Sequence, residues 1–120
     1  MKVAVTAQGR EMNSAVAPQF GRAKFLVVVD IDTGRFEAAD NARNLQAAQG
    51  AGIQAGRNVA QLGAEVVLTG HVGPKAFATL QAGGVRVYLG ASGTVASAIE
   101  QFKAGRLKQS SGADVEAHWA

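Results

Sequence analysis

The chain has 120 residues, 48% hydrophobic and 18% charged, with two histidines and no cysteine. That is enough for one domain with one core, and it excludes disulfides, thiolate zinc sites and iron–sulfur clusters held by the usual cysteines. A net charge of +3, from 12 Lys+Arg against 9 Asp+Glu, suits an anionic ligand better than a long nucleic acid.

Taken in chain order, residues 2–7 alternate weakly around Val3 and Val5 and read as a buried first strand. Met1-Lys2 runs straight into that strand without the features of a signal peptide, and no apolar run nears the length of a bilayer span. A cytoplasmic protein without membrane contact is therefore expected. Gln8 to Lys24 forms an unusually long connection, a length that favours a functional or mobile loop. Phe25 to Ile31 is a strong strand, Asp32-Thr33-Gly34 has turn chemistry, and Arg35 to Ala39 returns as the hairpin partner. Asn41 to Gly50 is polar and irregular. From Ile53 to Leu62 the apolar residues Ala55, Val59 and Leu62, joined by Ile53, Gly56 and Ala60, form one helical face, with Gln54, Arg57, Asn58 and Gln61 opposite.

Residues 66–105 then repeat one unit: an apolar strand, a four-residue loop that opens and closes on glycine, and a helix. In the first copy Val66 to Thr69 leads through Gly70-His71-Val72-Gly73 to a helix starting at Pro74; in the second, Val85 to Leu89 leads through Gly90-Ala91-Ser92-Gly93 to a helix starting at Thr94. Proline suits the first helical position and threonine an N-cap, while Gly63, Gly83-Gly84 and Gly105 stand where the helices should end. Val95, Ala98, Ile99 and Phe102 give the cleanest helical spacing in the chain. The expected fold is α/β: a mixed five-stranded sheet, antiparallel in its first half and parallel in its second, with helices on its faces. It forms a single domain over residues 1–106, followed by a mobile tail over 107–120 in which His118 and Trp119 carry no assigned role.

Two neighbouring strands that end in glycine loops at helix N-termini create a crevice lined with N–H groups, which favours an anion. Gly70, Val72, Gly73, Gly90, Gly93 and Thr94 would bring backbone close to such a ligand, with His71, Lys75 and Ser92 adding side-chain donors. The plainer reading is that these glycines only turn the chain. His71 is a candidate ligand for copper, iron or zinc, and Met12 a weaker thioether candidate for copper. In the long loop Phe20-Gly21-Arg22 joins an aromatic to a guanidinium; the plain alternative buries Phe20 and leaves Arg22 in water. Asp30, Asp32, Glu37 and Asp40 could suggest a two-metal nuclease, although a charged hairpin edge explains them more simply. No catalytic triad can be assembled, so no enzyme activity is expected.

Phe20-Gly21-Arg22-Ala23, Gly50 to Ala55, Val66 to Phe77, Val87-Tyr88 and Gly93-Thr94-Val95 together resemble the dinitrogenase iron-molybdenum cofactor biosynthesis family over residues 2–107. The resemblance implies a ribonuclease H-like three-layer α/β/α fold. It also implies a carrier or assembly platform for a metal–sulfur cluster, with added weight on His71. The cofactor would be an anionic molybdenum-copper sulfide or iron-molybdenum-sulfur cluster, bound non-covalently through N–H groups, Arg22 and Lys75. Proteins that receive the cluster would be the partners. Two other readings stay open: a small phosphate-ligand or nucleotide-binding regulatory domain, and an RNA-binding module, which the scarcity of aromatic stacking residues disfavours.

Overall fold

The structure is a computed structural model that describes residues 1–41 and 51–113. Most of the irregular stretch expected before the first helix, residues 42–50, and the last seven residues, with His118 and Trp119, lie outside the described residues.

The elements in chain order are β1 (Lys2–Ala7), β2 (Phe25–Asp30), β3 (Phe36–Asp40), α1 (Ala51–Gln61), β4 (Val66–Leu68), α2 (Pro74–Ala82), β5 (Arg86–Leu89), α3 (Val95–Lys103) and β6 (Lys108–Gln109). One sheet runs β3-β2-β1-β4-β5-β6. β1 pairs antiparallel with β2 and parallel with β4, and β4 pairs parallel with β5, so the expected change from antiparallel to parallel falls at β1. The sheet has six strands, not five. Lys108 and Gln109 pair antiparallel with Leu89 and Tyr88, and both are exposed. Two exposed residues bonded through the backbone leave no hydrophobic alternation, so the sequence pattern is silent about this strand.

Side chains alternate across the pleat and sort into two cores. Ala4, Leu26, Val28, Val67 and Val87 face α1 and α2, where Ala55, Val59, Ala76 and Leu80 meet them, with Phe20 buried alongside. Val3, Val5, Val27, Val29, Val66 and Leu68 face α3 through Val95, Ala98 and Ile99. Helices therefore cover both faces, which explains why the central strands are apolar at nearly every position. Among the described residues no helix is long and apolar enough to cross a membrane.

Asn58, expected on the water-facing side of α1, turns instead toward the sheet. Its side-chain amide donates to Asn41 at 3.2 Å, and the buried Asn41 amide donates to the Ala23 carbonyl at 2.9 Å. Three of the four acidic hairpin residues, Asp30, Asp32 and Asp40, are engaged in local bonds. Asp30 accepts the N–H groups of Asp32 and Thr33, Asp32 bridges the Met1 ammonium, and Asp40 lies 3.7 Å from Arg10, whose guanidinium stacks over Phe25.

The amide of Asp32, followed by that of Thr33, holds the Asp30 carboxyl below its ordinary range. A lowered carboxyl adds stability that is complete above its unfolded value, near 3.8, and is lost as pH falls through the folded one. Melting temperatures measured against pH should therefore show an acid-side decline that flattens in Asp30→Asn. A second prediction concerns two buried hydroxyls. Thr6 Oγ1 lies 2.8 Å from the Ala17 carbonyl and 2.9 Å from Thr69 Oγ1. A hydroxyl has one proton, so Thr6 donates to Ala17 and accepts from Thr69. Thr6→Val strands both partners and should cost about 1–3 kcal/mol in urea unfolding, more than Thr69→Val, which leaves the bond to Ala17 in place.

Candidate functional site

The parallel pairing of β1, β4 and β5 brings the two glycine loops to the same end of the sheet, and backbone bonds join them. Gly90 N–H donates to the Gly70 carbonyl at 3.3 Å, and Ala91 N–H to the Thr69 carbonyl at 3.1 Å. The predicted crevice residues are thus brought together. What lies across them is the long segment between β1 and β2, which is tied down on both sides. His71 N–H donates to the Pro18 carbonyl at 2.7 Å, and Phe20 N–H to the His71 carbonyl at 3.0 Å. On the other side Val16 N–H donates to the Gly93 carbonyl at 2.9 Å, while the carbonyls of Ser14 and Met12 accept from Val95 and Ala96 at 2.9 and 2.8 Å. The segment is a staple across both loops.

This staple makes the two copies unequal. In α3 the first N–H goes to Ser14, the second to Met12, and the third, that of Ser97, to the Thr94 hydroxyl at 3.1 Å. The first three N–H groups of α3 are therefore occupied, while those of Ser92, Gly93 and Thr94 in the loop before it take no acceptor among the described residues. α2 begins differently. Gly73 stands at its N-cap without a side chain to accept, Pro74 has no N–H, and the N–H groups of Lys75 and Ala76 take no acceptor among the described residues. Lys75 is exposed and Ala76 fully buried, so the terminus holds one open donor and one buried orphan. A buried donor without a partner costs free energy and calls for an explanation such as a water or an anion.

The side chains follow the same division. His71 and Lys75 are exposed on the first loop and the start of α2, with Val72 and Gly73 buried between them. Phe20 is fully buried and Arg22 exposed, in a single 3-10 turn, Phe20–Arg22, whose first N–H bonds His71. The plain reading of that motif thus holds for Phe20, and the turn that carries Arg22 is bonded at its first residue to the first loop. Ser92 is exposed, but its carbonyl is occupied by the Ser97 hydroxyl and the Gln101 amide. Met12 is half-buried against the core under α3. Among the described residues no three His, Cys, Asp or Glu side chains are grouped to hold a metal ion.

The glycines act for different reasons. Gly90 and Gly93 have φ values of +83° and +79°, the left-handed region that other residues enter at a cost. Gly70 has no such conformation; a Cβ there would lie 2.5 Å from the Pro18 carbonyl oxygen. Its role is close approach to the staple, which nothing within the loop's own sequence reveals.

Compared with known proteins, residues 1–105 match the family model described as dinitrogenase iron-molybdenum cofactor. The apo form of the orange protein from Desulfovibrio gigas is 42% identical, with a TM-score of 0.92 over 95% of this chain and 96% of that one. A candidate NifB protein from Thermotoga is 34% identical, with a TM-score of 0.79 over 90% and 91% of the two chains. An uncharacterized protein from Methanocaldococcus jannaschii is 24% identical over 99 residues, covering 81% of this chain and 84% of that protein.

Gly70→Ala should cost about 1–3 kcal/mol, because the new methyl meets backbone that is itself hydrogen-bonded. Gly90→Ala, with nothing within 4 Å, should cost only about 1–2 kcal/mol for the left-handed conformation. Limited proteolysis between residues 8 and 24 should quicken in the first variant and not in the second.

Proposed function

This chain belongs to the dinitrogenase iron-molybdenum cofactor family, and we propose that it binds and carries, without turnover, a preformed anionic molybdenum-containing metal–sulfide cluster. The observation that carries this reading is the open first turn of α2, with the Lys75 and Ala76 amides unclaimed among the described residues beside exposed His71, Lys75 and Arg22. A cluster of the Mo/Cu or Mo/Fe type brings its own sulfide ligands. It needs from the protein only hydrogen-bond donors, positive charge and shape, which a chain without cysteine can supply. The imidazole of His71 offers at most one direct bond to a copper or iron atom at the cluster surface.

Gly73 and Pro74 serve this role together: neither caps the helix, so both leave its positive end available. We read the fold as ribonuclease H-like without nuclease activity, since Asp30, Asp32 and Asp40 are occupied in turn bonds and ion pairs. The protein would act in the cytoplasm and hand its cargo to protein partners. The same amides would also accept a phosphate group, so nucleotides are the informative control.

Tetrathiomolybdate and copper added to the metal-free protein should yield a visible chromophore that survives desalting, and nucleotides should leave the melting temperature unchanged. A colourless protein stabilised by nucleotides would overturn the reading. His71→Ala should reduce retained metal. Lys75→Ala and Arg22→Ala should each weaken retention by up to about fivefold, the scale of an exposed charge contact. Gly73→Ser introduces a capping hydroxyl for the Ala76 amide, so it should keep or slightly raise stability while lowering retention.

A further inference from the structure

The closed end of α3 leaves the second glycine loop without open donors from that helix's first turn. Positive charge reaches this side by another route. β6 pairs Lys108 with Leu89, the last residue of β5 and the neighbour of Gly90. Residues paired across an antiparallel ladder share a face, and Leu89 packs against the core beneath α1 and α2. Lys108 therefore stands on the face where α2 opens its amide end.

Because Gly90 bonds directly to Gly70, Lys108 is two strand spacings, about 10 Å, from the first loop, a gap that its flexible four-carbon stem narrows. Lys108 is exposed and forms no ion pair among the described residues, whereas Lys103 lies 3.9 Å from Glu100.

We propose that Lys108 is a ligand-binding residue of the same site, holding the far side of a polyanionic sulfide-bearing ligand whose near side meets α2, Lys75 and Arg22. The proposal rests on the cluster-binding reading. It assigns to the sixth strand the task of carrying a cation to the second loop, which has no charged side chain of its own.

The test is a titration of the metal-free full chain with tetrathiomolybdate, followed by absorbance. At about 0.1 M salt Lys108→Gln should raise Kd about threefold and Lys108→Glu about tenfold, as expected for a charge acting across a solvated gap. Lys108→Arg should bind as the unchanged chain does, and so should Lys103→Gln. Near 1 M salt, where the screening length falls to about 3 Å, the differences should vanish. A loss that persists at high salt would mark a structural effect and overturn the proposal. So would native binding by Lys108→Glu alongside weakened binding by Lys75→Ala, a result that leaves the cluster reading standing. If the unchanged chain binds no tetrathiomolybdate, both fall together.

Discussion

Where β1, β4 and β5 stop, their chains leave the ladder while still shielded from water, and each backbone N–H and C=O beyond that point must find a partner. The structure meets this constraint with one segment. Met12 to Phe20 crosses the carboxyl end of the sheet, exchanging bonds with the first glycine loop through Pro18 and Phe20 and with the second through Ser14, Ala15 and Val16. Gly70 is glycine because the segment passes so close, and Thr6 carries a hydroxyl because the Ala17 carbonyl needs a buried donor, with the Thr69 hydroxyl bonded to it in turn. A long loop whose length favours a functional or mobile role is thereby part of the framework.

The same constraint separates the two copies of the strand, loop and helix unit. Both put a helix N-terminus at the edge of the crevice, where the partial positive charge of the helix favours an anion. Thr94 and the staple satisfy the second terminus; Gly73 and Pro74 leave the first without acceptors among the described residues. The two helix ends are thus unequal, although the N–H groups of Ser92, Gly93 and Thr94 in the second loop also take no acceptor among the described residues.

Much of this was legible in the sequence where a physical signal was local. The strands, the three helices and the turn from antiparallel to parallel follow from apolar periodicity, Pro74, Thr94 and the closing glycines. The family was legible in the joint match from Phe20 to Val95. Three features were not. β6 has only two exposed residues and no pattern; the Asn41–Asn58 pair links residues far apart in sequence; and the carbonyls that close α3 belong to a segment more than seventy residues away in the chain. Each depends on tertiary contact, where single-sequence patterns carry no information. The inequality of the two loops lay half in view, because Gly73 and Thr94 occupy equivalent positions with opposite capping abilities.

The buried orphan at Ala76 has a consequence for the life of the protein rather than for its chemistry. A buried donor that takes no acceptor among the described residues is one that an occupant of the site would satisfy, and such an occupant would shift the folding equilibrium toward the native state. Cellular proteases act on the small population that opens, so the empty chain would be cleared sooner than the loaded one. In a carrier, abundance would then follow the supply of cargo without any separate regulator.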